Sequence, residues 1–224
     1  MSGIVLWDFD GTLAERPGMW RGCLLEVLRE NEPGVEVEAD AFIPSLRDRF
    51  PWHRPEVAHV DVCDDEAWWG QILPLLAEAY EIVGIGRERA GELAVLARAR
   101  YADPDTGWRV FDDAVPALAL LSGHGWRHVV LSNHVPELER IVAGLGLDRH
   151  VDTVLCSAVM GYEKPHPEAF ACALRLRREG EAVWMVGDNE TADVQGAVAA
   201  GLPAILVRRN GVGLLDAAEE ILSA

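Results

Sequence analysis

The sequence predicts an α/β protein: a Rossmann-like parallel sheet core flanked by helices, with a mainly α-helical cap inserted after the first strand. Three observations carry this prediction. The apolar run Ile4-Val5-Leu6-Trp7 reads as a short buried strand, ended by Gly11 and Thr12. The second half of the chain alternates strand-like runs with helix-length segments, the pattern of right-handed parallel crossovers. Between the two lies a long stretch with few strand candidates and repeated helical spacing.

The elements follow in order. After the first strand, Arg16 to Glu30, Ala39 to Arg49, Glu66 to Val83 and Arg87 to Tyr101 each place apolar residues at helical intervals. Pro33-Gly34 and Gly84-Ile85-Gly86 break the series. Asp112-Asp113 is expected to cap a helix containing Pro116. The alternating half then reads strand at Arg127 to Ser132, helix from Pro136 to Leu145, strand at Val151 to Cys156, helix from Pro165 to Arg178. It continues with a strand at Ala182 to Gly187, a helix near Ala192 to Ala200, a strand at Ala204 to Val207 and a helix at Leu214 to Leu222. The expected division is a core of residues 1–13 and 108–224 and a helical cap of residues 14–107. Trp20, Trp52, Trp68, Trp69 and Trp108 fall in or at the exit of the cap, mostly as packing, with one or two lining a substrate pocket.

Composition narrows the function. Half of the 224 residues are hydrophobic, ample for a packed core. The sequence suggests a soluble cytoplasmic protein: no apolar run approaches the roughly 20 residues of a membrane span, and no basic-then-apolar leader precedes the first strand. Cys23, Cys63, Cys156 and Cys172 are scattered without C-x-x-C spacing, so buried free thiols are expected. The formal net charge of −17 argues against nucleic acid or an anionic membrane as partner. A small phosphorylated metabolite remains compatible, because a metal and one lysine can invert the local potential. The G-x-G pieces at Gly84 and Gly144 do not form a strand-to-helix dinucleotide fingerprint.

Four segments lie at or beyond the carboxyl ends of expected strands: D-F-D-G-T with Asp8 and Asp10, L-S-N-H with Ser132 and Asn133, G-Y-E-K-P-H-P with Lys164, and V-G-D-N-E-T-A-D with Asp188, Asn189 and Asp193. Asp8 and Asp10 are two apart, on one face of the strand end. In an open parallel sheet that edge is where ligands bind. Paired carboxylates repel unless a cation sits between them, and hard cations such as magnesium prefer oxygen. Each segment alone has a structural explanation as a cap, a turn or a solvated surface. Together they bring four carboxylates, a hydroxyl and an ammonium to one edge, a composition suited to metal-assisted phosphoryl transfer.

In that order the four segments resemble the motifs of the haloacid dehalogenase-like hydrolase superfamily. The helical insertion resembles the cap of its branch with phosphoglycolate phosphatase and β-phosphoglucomutase. The resemblance implies a magnesium-dependent phosphatase that hydrolyses a small phosphomonoester through an aspartyl-phosphate. It implies Asp8 as nucleophile, Asp10 as acid and base, and Ser132 and Lys164 as catalytic groups contacting phosphate, with Asn133 in substrate binding. It further implies Asp8, Asp10 (through its carbonyl) and Asp188 as metal ligands, with Asp193 and Asn189 in the surrounding shell. The acid at position 10 argues against the dehalogenases. The absence of lysine from Ala14 to Ala102 argues against phosphonatases, which need an imine-forming lysine in the cap. A phosphomutase keeps the same motifs and stays open as an alternative, and a non-catalytic phospho-binding module is a further one. His134 and His166 follow two motifs closely and are expected as capping or solvated residues. The cap arginines Arg16, Arg21, Arg47, Arg49 and Arg54 are expected mostly at the surface. Substrate identity and oligomeric state are not legible.

Overall fold

A computed structural model of the chain describes residues 2–209 and 211–224. The apolar opening run forms β1 (Gly3–Trp7), buried along its whole length. A two-residue strand β2 (Ala14–Glu15) follows, then α1 (Met19–Asn31), the short α2 (Ile43–Leu46), α3 (Asp65–Ile82) and α4 (Arg87–Tyr101). The chain returns through β3 (Arg109–Val110), which pairs antiparallel with β2, and enters α5 (Ala114–Gly123). The alternating half comprises β4 (Arg127–Ser132), α6 (Leu138–Gly144), β5 (Thr153–Cys156), α7 (Ser157–Met160), α8 (Pro167–Leu174), β6 (Ala182–Gly187), α9 (Gly196–Ala199), β7 (Ala204–Leu206) and α10 (Leu214–Ser223).

The main sheet has the order β5-β4-β1-β6-β7, with every pairing parallel. β1 therefore lies at the centre, with Trp7 level with Val130 on one side and Val186 on the other. Alternation divides its side chains between two cores: Val5, Trp7 and Phe9 join one, Ile4 and Leu6 the other. Burial of both faces explains why the strands read as continuous apolar runs. The crossovers pass to opposite sides of β1, so the sheet has a switch point at its carboxyl edge.

Three local expectations are corrected. Ala39 to Arg49 is not one helix but a 3₁₀ turn (Ala39–Phe42) leading into α2. Pro44 has no N–H to give the carbonyl of Asp40, and it sits in the first turn of α2, where that N–H would go unpaired in any case. α8 starts at Pro167 rather than Pro165, and His166 caps it by accepting from the N–H of Glu168 at 3.1 Å. Asp113 precedes α5 but does not cap it with its side chain. Its carboxylate takes Arg208 through both oxygens, at 2.9 and 2.7 Å, and the N–H of Leu214. Arg208 also donates to the carbonyl of Thr12 at 2.8 Å, stapling the C-terminal segment to the turn after β1.

The insertion packs onto the sheet through specific contacts. Trp69 and Arg98 both donate to Glu137. His59 Nε2 lies 3.0 Å from Glu163 Oε1, while its N–H donates to the carbonyl of Gly161. All four cysteines are free. Among the described residues, no helix is long and apolar enough to cross a membrane.

Candidate active site

β1 ends at Trp7, and the next residue, Asp8, still donates its N–H to the carbonyl of Val186 on β6. Its side chain stands at the centre of the sheet's carboxyl edge, 8% exposed. Ser132, the last residue of β4, donates its hydroxyl to Asp8 Oδ1 at 2.7 Å. Lys164 Nζ donates to the same oxygen at 2.9 Å and to Asp193 Oδ1 at 2.5 Å. Lys164 is the chain's only lysine, and it is almost fully buried. Burial opposes its charge, but Asp193 and Asp8 outweigh that and hold its pKa above the ordinary lysine value.

Asn133 holds the lysine in place. Its amide nitrogen donates to the carbonyl of Lys164 at 2.8 Å, and its amide oxygen accepts the Lys164 N–H at 2.7 Å. Asn189 accepts from the N–H groups of Thr191 and Ala192, starting a π-helical turn over Glu190–Gln195. That wide turn sets Asp193 back under the sheet edge, where its second oxygen accepts the N–H of Asn189 at 3.0 Å. Gly187 makes this possible: a Cβ there would lie 2.1 Å from Asp193 Oδ2.

Asp8, Asp188 and Asp193 bring carboxylate oxygens within 4.8 Å of one another. Both oxygens of Asp193 are engaged, whereas among the described residues the ion partner of Asp188 is Arg209, at 3.5 Å and more exposed. Gly11, at φ 81°, packs its backbone onto Asp188, and a Cβ would fall 2.8 Å from Oδ2. Burial, then the charges of Asp8 and Asp188, push Asp10 well above the usual carboxylate range. Asp188 is raised too, by burial and Asp8. One ammonium cannot offset this concentration of negative charge, and hard oxygen donors crowded together suit a divalent cation.

The sheet edge opens into a cavity of about 1100 Å³. Each sequence-derived site residue lines it: Asp8, Asp10, Ser132, Asn133, Lys164, Asp188, Asn189 and Asp193. The insertion supplies the opposite wall. Trp20 and Trp52 line the cavity, whereas Trp68 and Trp69 are packed inside. Sequence reading missed three neighbours. Arg16, expected at the surface, is buried against Tyr101 and ion-paired with Glu26 at 2.6 Å. His134 is buried against Phe9 and Trp108, and burial lowers its pKa to about 4. Glu163, beside Lys164, is fully buried against His59. No periodicity marks any of these; the signals were adjacency alone, of His134 to the Ser132 segment and of Glu163 to Lys164.

The chain belongs to the haloacid dehalogenase-like hydrolase family, whose model matches residues 3–201. It is an enzyme of the hydrolase class. It is 34% identical over 181 residues to the human haloacid dehalogenase-like hydrolase domain-containing protein 3, covering 78% of this chain and 70% of that one. It is 38% identical over 149 residues to a phosphoserine phosphatase of Thermus thermophilus, covering 64% of this chain and 57% of the relative. In fold it resembles a 2-haloacid dehalogenase of Pseudomonas syringae, with a TM-score of 0.69, 24% identity, and coverage of 100% and 99% of the two chains.

Proposed function

We propose that this hydrolase is a magnesium-dependent phosphatase acting on a small phosphomonoester through an aspartyl-phosphate at Asp8. The observation that carries the reading is the way Asp8 is held. Ser132 and Lys164 both bind Oδ1, so the carboxylate is fixed at the cavity floor while Oδ2 has no side-chain donor among the described residues. A carboxylate held in line is an adequate nucleophile for the loose transition state of phosphoryl transfer. The likeness to a protein named as a phosphoserine phosphatase supports the same chemistry.

In this reading Asp8 attacks phosphorus as the bond to the leaving oxygen breaks. Asp10, whose raised pKa favours the protonated form, delivers its proton to that oxygen. The Asp10 carboxylate then takes a proton from water as the water oxygen attacks phosphorus, and the bond to Asp8 breaks, releasing phosphate. Lys164 and Ser132 offset the charge on the transferring oxygens. Asn133 holds the lysine backbone, and Asp193 orients the ammonium. Asp8, Asp188 and the Asp10 carbonyl are the groups to hold magnesium. The ion would supply charge neutralisation at the phosphoryl group.

Residues 14–107 would act as the cap over a core of residues 1–13 and 108–224, excluding water and selecting the leaving group. The four free thiols suit a reducing cytoplasm. The test is phosphate release from a panel of phosphomonoesters, with and without magnesium, on wild type and Asp8→Asn. Metal-dependent release lost in the variant is expected. Full activity in Asp8→Asn would sink the mechanism.

A further inference from the structure

The cavity above Asp8, about 1100 Å³, exceeds the usual range of small-molecule sites, roughly 300–1000 Å³. A two- or three-carbon alcohol would leave most of it empty. Its far wall is a ladder of rings: Tyr101, Trp20, Phe50 and Trp52 follow one another at centroid separations of 3.8, 5.6 and 4.5 Å, tilted by only 4°, 23° and 7°. All four line the cavity. Trp20 and Phe50 each stack on two neighbours of the ladder and are 4% and 2% exposed, so little of either ring is left open to the cavity.

Ring edges carry the positive part of the aromatic quadrupole and attract the face of another ring. Trp20 also holds an indole N–H that is buried and has no acceptor among the described residues. Mutual stacking fixes the ladder before any ligand arrives, so little side-chain freedom is lost on binding. Trp68 continues the stack behind Trp52, at 6.5 Å and 28°, but neither it nor Trp69 lines the cavity.

We propose that the leaving group of the substrate carries a planar aromatic ring, docked against the Trp20–Phe50–Trp52 wall while the phosphate lies at Asp8. This rests on the phosphatase reading above. Trp52, the partly exposed ring of this wall, is the residue through which the site is tested.

The experiment measures calorimetric affinity for three inert phosphonates in the presence of magnesium: 2-phenylethyl-, 2-cyclohexylethyl- and ethylphosphonate. The ring site predicts that the phenylethyl compound binds about 10- to 100-fold more tightly than the ethyl one, and more tightly than the cyclohexyl one. Trp52→Leu should reduce that preference about 3- to 10-fold, and Trp52→Phe should keep most of it. Equal affinity for phenylethyl and ethyl compounds would overturn the proposal, as would a tie between phenyl and cyclohexyl. The wild-type comparison stands even if a variant fails to fold. Phosphate release from the matching esters, all of primary alcohols, runs in parallel. Ring-selective binding without release would fault the phosphatase reading and support the ring site. Release without ring preference would fault the ring site alone, and failure of every phosphonate to bind would overturn it too.

Discussion

Replacing Lys164 by methionine removes the one ammonium from a group of buried carboxylates. The side chains of Lys164, Asp193 and Asp8 are 2%, 1% and 11% exposed, so water cannot take over the lost contacts. Removing one partner of a buried ion pair costs about 3–5 kcal/mol. For a chain of this size each kcal/mol shifts Tm by about 2–4 °C, so the expected fall is roughly 6–20 °C at about pH 8. The pH dependence has a defined sign. Burial already raises the carboxyl of Asp193, and without the cation beside it this group binds a proton more readily than in the unfolded chain. The deficit is therefore full above the raised pKa of Asp193 and shrinks as pH falls towards the ordinary carboxylate range near about 4. Scanning calorimetry of wild type and Lys164→Met across this range measures it, and adding Asp193→Asn to the variant should recover part of the loss. A fall of under about 2 °C at about pH 8, or a deficit that grows on acidification, would refute the reasoning.

Gly11→Ala places a Cβ 2.8 Å from Asp188 Oδ2 at a φ of 81°, so it should cost about 1–3 kcal/mol and weaken magnesium binding measured by calorimetry; unchanged affinity would contradict the packing. Asp10→Asn should leave the fold intact and slow phosphate release about 10²- to 10⁴-fold for alkyl esters, with a smaller loss for esters of acidic phenols; equal losses for both would argue against a proton donor. His128 is buried, accepts Trp7 Nε1–H at Nδ1 at 3.0 Å and is lowered by burial to about 4, against an ordinary 6.5. Its stabilising contribution is therefore present above about pH 6.5 and is lost as pH falls towards 4, to the extent of about 3 kcal/mol. An NMR titration giving a His128 pKa at or above about 6 would contradict this.

The strands were legible because both faces of a parallel sheet are buried, so β1 and β6 appear as unbroken apolar runs and β4 as Val129-Val130-Leu131 behind Arg127-His128. The convergence of Asp8, Ser132, Lys164 and Asp188 at one edge follows from that topology, and the sequence predicted it without any contact information. The β2–β3 ribbon was not legible: two residues per strand carry no period, and the pairing joins positions 14–15 with 109–110. Arg208 gave no signal either, since its partners Asp113 and Thr12 lie far away in sequence. Arg16 reads as a surface charge until Glu26, one helix further on, is seen to pair with it. The segment 39–49 had helical spacing, but Pro44 takes a first-turn position, so the helix begins beside it at Ile43 and the preceding residues form a 3₁₀ turn.

The central claim is that Asp8 carries the phosphoryl group. A rapid acid quench of the enzyme with a phosphate-labelled ester and magnesium, followed by peptide mapping, tests it most directly. The account predicts an acid-stable, base-labile label on the peptide containing Asp8, absent from Asp8→Asn. Rapid phosphate release from wild type with no label trapped at Asp8, or label on another residue, would contradict it.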